Sequence, residues 1–175
     1  HPKETLEFFG LKEDMTVVEL APGGGWYTEI LAPLLRERGV YYAAHYDANG
    51  RSYYRRSLGT YLQKLGENDE LYRSVKVTSL APLDSMRVAP PESADLVLAF
   101  RNIHSWMRSD TLSETFNAAY AALKTGGVFG IVQHRAKDER SEEQMKATGY
   151  VTEQSVIAAA KAAGFVLDAR SEVNA

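Results

Sequence analysis

The sequence has no cysteine, no long apolar run and no excess of basic charge, and each absence removes a class of function. Without cysteine there is no thiol nucleophile, iron–sulfur cluster, zinc ribbon or disulfide framework. The same absence is silent on the redox compartment, which stays open. Lys and Arg number 20 against 23 Asp and Glu, a formal charge of −3, so the chain carries no field of the kind that holds nucleic acid. No apolar stretch approaches the ~18 residues of a membrane span. No signal-like segment is visible, and a chain opening on His1-Pro2 is expected to have lost its true start together with any targeting peptide. What remains is 175 residues, enough for one domain (1–175) with one continuous core. At that length roughly 70% of the unfolded chain's surface leaves water on folding, and no metal or disulfide is needed to complete the stability.

Short β-branched runs alternate with longer stretches whose apolar residues recur every three or four positions, which is the pattern of βαβ units. Strands are predicted at 16–20, 40–44, 75–77, 95–100, 128–132 and 165–167. Leu112, Phe116, Ala119, Tyr120 and Leu123 share one helical face, with a Thr111…Glu114 capping box before it and Gly126-Gly127 beyond it. A second helix runs from a Thr152 cap to Gly164, and a third carries Tyr54, Leu58, Tyr61, Leu62 and Leu65. A fourth is predicted to open at Gly23-Gly24-Gly25, with Pro33 kinking it or ending it early. Near-continuous apolar strands joined by helices predict an α/β fold, a doubly wound and mostly parallel sheet with helices on both faces. The stretch 135–148, with Lys137-Asp138-Glu139-Arg140 and Glu142-Glu143, is too polar for core and reads as a solvated loop or mobile cover. Tyr53, Tyr54, Arg55 and Arg56 read as a helix with its arginines in solvent.

In a doubly wound sheet ligands bind beyond the carboxyl ends of the strands, where strand order reverses. The first strand-to-helix turn is therefore the segment to read for chemistry. It runs Glu19-Leu20-Ala21-Pro22-Gly23-Gly24-Gly25-Trp26-Tyr27-Thr28. Glycines let backbone approach a ligand, and N–H groups at a helix start favour anionic groups. By itself such a run is also what a tight turn into a packed helix needs.

The order acid, x, small, x, Gly, x, Gly after a strand resembles motif I of the class I S-adenosylmethionine-dependent methyltransferases. Glu19 stands as the motif's acid, Ala21 at its first glycine, and Gly23 and Gly25 at its later ones. Leu123-Lys124-Thr125-Gly126-Gly127 is similar to the family's turn before strand five, and Asp95-Leu96-Val97 to its opening of strand four. The opening ten residues, Phe100-Arg101-Asn102-Ile103-His104-Ser105-Trp106 and His134-Arg135-Ala136 also resemble bacterial predicted methyltransferases whose substrate is unsettled, so the resemblance spans essentially the whole chain.

The resemblance implies S-adenosylmethionine as cofactor, its amino acid portion over Gly23, Gly24 and Gly25. An acid at the end of strand two would hold the ribose, and there the chain has His45, with Asp47 two residues on. Either His45 donates to the ribose while Asp47 reaches it, or the contact is lost; a surface-loop role fits Asp47 equally. Asp84 stands where the family often places an acid against the adenine amino group, although Asp before Ser is also ordinary turn chemistry.

Methyl transfer depends on alignment, with a base required only when the nucleophile carries a proton. The carboxyl ends of strands four and five carry Arg101, Asn102, His104 and Trp106, then Gln133, His134 and Arg135. His104 is the expected general base, with a hydrogen-bonded structural histidine as the other reading. His134 and Arg135 are further candidates, Arg135 as a clamp on an acidic substrate or as an ordinary solvated cation. Asn102 is placed with the cofactor. Trp106 reads as a stacking ring or as core. The four histidines share no metal-ligand spacing, and no metal is expected.

The expected partner is a small-molecule acceptor, with no nucleic acid and no membrane span. Two other classes stay in view. A non-catalytic cofactor-binding module would keep the same fold. A nicotinamide-dependent oxidoreductase would want Gly-x-Gly-x-x-Gly and an acid ~20 residues on, where this chain has Thr28 and His45. Methyltransferases of this fold finish with a seventh, antiparallel strand, and a chain stopping at Asn174-Ala175 is expected to be C-terminally incomplete.

Overall fold

Five of the six β-branched runs pair side by side, all parallel, in the order β3-β2-β1-β4-β5. The computed structural model describes residues 1–81, 86–137 and 139–174. Through them run α1 (Pro2–Phe8), β1 (Thr16–Leu20), α2 (Thr28–Leu35), β2 (Val40–His45), α3 (Ser52–Glu67), α4 (Asp69–Tyr72), β3 (Lys76–Ser79), β4 (Ala94–Phe100), α5 (Ile103–Arg108), α6 (Leu112–Ala122), β5 (Leu123–Val132), α7 (Glu142–Thr148) and α8 (Glu153–Ala162). The chain winds outward from β1 to β3 and returns to lay β4 on the other side of β1. The order thus reverses between β1 and β4, and the glycine turn leaves the sheet there.

Alternation along each strand divides the core between the two faces. Val17, Leu96 and Leu98 meet Leu31, Leu35, Tyr41 and Tyr61 on one side. Val18, Val97 and Ala99 meet Ile103, Trp106, Phe116 and Met145 on the other. Trp106 is therefore core, packed edge-on against Phe116. The face of α3 is narrower than predicted: Tyr61 is buried, Leu62 is exposed, and Tyr54 stacks on Tyr46. α2 opens at Thr28, three residues beyond Gly25, and stops two residues after Pro33, whose missing N–H removes a rung of the helix.

Three expectations are corrected. Residues 165–167 form no strand, because Gly164 (φ +101°) and Phe165 close α8: Gly164 N–H donates to Lys161 O and Phe165 N–H to Ala160 O, both at 3.0 Å. The Phe165 ring then packs on Tyr120 and Phe129, and Val166 is left in solvent. The polar stretch 135–148 is not simply a solvated cover. Ser141 and Gln144 build a reciprocal capping box that starts α7, and Met145 is buried with its sulfur accepting from Thr152 N–H. The Thr111…Glu114 box is absent; Thr111 precedes α6 without a side-chain cap, its hydroxyl pairing with Ser109 instead.

The Thr152 cap of α8 is present, its oxygen accepting from Ser155 N–H at 3.2 Å. Thr152→Ala is expected to cost about 1 kcal/mol, measured by urea unfolding, with Thr152→Ser close to wild type.

Candidate functional site

The turn after β1 is built from left-handed backbone. Ala21, Gly23 and Gly25 have φ of 51°, 59° and 80°, conformations that cost a residue with a Cβ about 1–2 kcal/mol. Ala21 sits there because both ends of its position are held: its N–H donates to Ala44 O, and the Asn102 amide donates to Leu20 O and Ala21 O at 3.2 Å each. Asn102 therefore ties the end of β4 to the turn after β1. A Cβ built on Gly23 or Gly24 would meet no atom within 4 Å, so this backbone faces open space. Gly25 faces inward, where a Cβ would lie 2.9 Å from the Tyr61 ring.

Beneath the turn lies a buried polar chain. The Tyr41 hydroxyl donates to a Glu19 carboxylate oxygen at 2.5 Å, Thr28 Oγ1 lies 2.9 Å from that hydroxyl, and the Tyr61 hydroxyl lies 3.0 Å from Thr28 Oγ1. With Glu19 ionised, each hydroxyl donates toward the carboxylate. Burial pushes the Glu19 carboxyl from 4.5 up to about 7, the Tyr41 hydrogen bond pulling the other way. No cation pairs with it among the described residues. Tyr41, Thr28 and Tyr61 were not singled out from the sequence as site residues. The usable signal is alternation: Glu19 and Val17 point to one face, and Tyr41 is the polar-tipped ring of β2 on that face.

His45 is fully buried and both its ring nitrogens are engaged inside the protein. Tyr46 N–H donates to Nδ1 at 2.7 Å, which puts the proton of the neutral ring on Nε2, and that N–H donates to Gly23 O at 3.0 Å. Burial holds its pKa below the ordinary value. The expected ribose donor is thus a strut under the glycine turn. Asp47 turns back on its own loop, accepting from Asn49 N–H at 3.0 Å. Asp84 lies outside the described residues.

At the ends of β4 and β5, Gln133 fixes His104. Its Oε1 accepts from Ile103 N–H at 3.2 Å, and its Nε2 donates to Gly149 O at 2.8 Å and lies 3.3 Å from His104 Nδ1. The two backbone bonds set which end of the amide is which, so Nδ1 of His104 is an acceptor and the neutral ring carries its proton on Nε2. The expected base therefore presents a donor, its lone pair already taken. Burial, with the charges of Arg108 and His134, holds its pKa below the ordinary value. His134 is exposed, with its ring 5.4 Å from that of Tyr150. Arg135 is engaged by the chain's own carboxylates, in a two-point pair with Glu172 and at 3.8 Å from Glu153. An open groove of about 1740 Å³ passes Tyr27, Arg101, Gln133 and His134 and continues along β5. Among the described residues no helix is long and apolar enough to cross a membrane.

No family model matches the chain, and no curated protein does. Solved structures do. A S-adenosylmethionine-dependent methyltransferase from Aquifex aeolicus superposes with a TM-score of 0.70 at 20% identity, covering 93% of this chain and 78% of its own. An arsenic(III) S-adenosylmethionine methyltransferase from Chlamydomonas reinhardtii gives 0.65 at 17% identity over 89% of this chain. The [4+2]-cyclase SpnF gives 0.64 at 14% identity over 93%. The chain spans 52% and 55% of the length of these last two. With strand order, reversal point and glycine turn already in place, the likeness settles the architecture: this chain has the Rossmann-like fold of the class I S-adenosylmethionine-dependent methyltransferases.

Proposed function

We propose that this protein binds S-adenosylmethionine over Gly23 and Gly24 and transfers its methyl group to a small-molecule acceptor. The observation that carries the reading is the turn itself: left-handed backbone at the order reversal of this fold, with open space above two glycines. The residues fit the cofactor in a second way. Glu19 is a buried carboxyl with no cationic partner among the described residues, and a ligand bearing an ammonium and a sulfonium favours its ionised form. Bound there, the cofactor supplies an electrophilic methyl carbon; the acceptor's lone pair forms the new bond while the carbon–sulfur bond breaks and leaves its electron pair on sulfur.

The chain's own residues orient and exclude. His45 holds the Gly23 carbonyl and Asn102 holds Leu20 and Ala21. Asp47 is the carboxylate nearest in sequence to the end of β2 and is assigned to the ribose, and Asp84 to the adenine amino group. Alignment supplies much of the rate in such a reaction. His104 contributes an N–H donor at the acceptor side, and His134 is the exposed imidazole available for an acceptor that must lose a proton. The reading takes residues 1–175 as one cofactor-binding domain.

Calorimetric titration with S-adenosylhomocysteine beside NAD is the test. S-adenosylhomocysteine is expected to bind and NAD is not. Gly23→Val puts a branched side chain into the ligand's space and is expected to weaken binding at least ~10-fold, by the loss of one backbone contact to ligand. Unchanged affinity in Gly23→Val overturns the placement. A second reading, cofactor binding without methyl transfer, draws on the likeness to SpnF, whose name is that of a cyclase. Tight binding with no methylation of any acceptor would favour it.

A further inference from the structure

Beside the glycine turn, three features converge at the ends of β4 and β5. Tyr27 lies flat on Phe100, with centroids 3.5 Å apart and planes 8° from parallel, and Trp26 stands edge-on to Tyr27 at 4.7 Å. Trp26 is 58% exposed and Tyr150, beside His134, 51%. Arg101 follows Phe100 directly. Its backbone is left-handed at φ +58°, held by its N–H to Val132 O at 2.7 Å, and its exposed guanidinium has no carboxylate partner among the described residues. A non-glycine residue kept in that conformation costs about 1–3 kcal/mol, and Arg101 lines the groove at the end of β4.

Each feature has its own physical reading. Large rings left in solvent at a concave site are surface waiting for a flat apolar partner. An unpaired guanidinium is a planar two-point donor for a carboxylate, and it also stacks on rings. Burial and the Glu19 charge push the Tyr27 hydroxyl's pKa up, with the nearby Arg101 charge pulling the other way, so Tyr27 and Arg101 are neighbours at this end of the sheet. Both line the groove with Trp26, His134 and Tyr150. We propose that this end of the groove is the acceptor site and that it takes an aromatic carboxylate, with the ring against Trp26 and the acid on Arg101. The assignment rests on the methyltransferase reading for the word acceptor; the recognition of an aromatic acid stands on the groove alone.

The test uses three probes against the full chain saturated with S-adenosylhomocysteine, read by titration calorimetry in wild type and in every variant: 4-hydroxybenzoate, its neutral amide 4-hydroxybenzamide, and cyclohexanecarboxylate. The benzoate is expected to bind at least ~10-fold more tightly than either of the others, the size of one charge-assisted pair or one ring contact. Arg101→Gln is expected to erase the preference for acid over amide, Arg101→Lys to restore part of it, and Trp26→Ala to erase the preference for the aromatic acid over the cyclohexane acid. Affinity for S-adenosylhomocysteine is expected to be the same in the Arg101 variants as in wild type. Equal binding of the three probes, no binding of 4-hydroxybenzoate, or an acid preference that survives Arg101→Gln overturns the proposal. Failure of S-adenosylhomocysteine to bind wild type, with the acid preference intact, would strike the methyltransferase reading and leave the aromatic-acid site standing.

Discussion

Glu19→Gln is expected to unfold at higher denaturant than wild type at pH 8 and at the same denaturant near pH 4. The carboxyl titrates near 4.5 when unfolded and near 7 when folded. Between these values the folded state holds a proton that the unfolded state has released, so wild-type stability falls as pH rises from 4.5 to 7 and stays low above it. The difference in pKa corresponds to about 3 kcal/mol. Glutamine has no such proton and keeps an acceptor for the Tyr41 hydroxyl, so the variant lacks this part of the slope. Subtracting the two urea stability curves across pH isolates Glu19 from other groups that titrate in the window. The same variant is expected to bind S-adenosylmethionine more weakly at pH 8, because the charge that destabilises the empty fold is the one a cationic ligand compensates. A stability difference that does not change with pH would refute the assignment.

Gly25→Ala and Gly24→Ala are expected to separate stability from binding. At Gly25 the new methyl meets a left-handed backbone (φ +80°) and lies 2.9 Å from a ring carbon of Tyr61. That ring is fully buried and its hydroxyl is bonded to Thr28, so it has nowhere to go. Backbone strain and overpacking together give about 2–4 kcal/mol of lost stability. At Gly24 φ is ordinary and nothing lies within 4 Å. There the stability change is expected to stay within about 0.5 kcal/mol, while affinity for S-adenosylhomocysteine falls, because the methyl occupies ligand space. The pair is read by urea unfolding and calorimetry. Equal stability in the two variants would mean that Gly25 is not packed on Tyr61.

The doubly wound sheet was legible because its signals are local. Val17-Val18 and Leu96-Val97-Leu98 are apolar on both faces, as strands buried on both sides must be, and the glycine turn follows directly. What was not legible depends on partners far along the chain. Phe165 looks like a strand residue until Tyr120 and Phe129 claim its ring. Met145 sits in a charged stretch and is buried because α7 brings it to Thr152. Arg135 reads as a free cation, yet Glu172, 37 residues away, engages it. The roles of the two histidines turned on which ring nitrogen is taken, and the groups that decide it are the Tyr46 N–H for His45 and the Gln133 amide for His104. The first is a neighbour in sequence; the second is 29 residues off and is itself oriented by two backbone groups.

A crystal structure of the chain grown with S-adenosylhomocysteine tests the central claim most directly. The account predicts the amino acid portion of the ligand against the backbone of Gly23 and Gly24, the Gly23 carbonyl still held by His45, and the sulfur turned toward the ends of β4 and β5 where Arg101 and His134 stand. Ligand bound elsewhere on the chain, or a glycine turn that loses its His45 and Asn102 contacts to admit it, would contradict it.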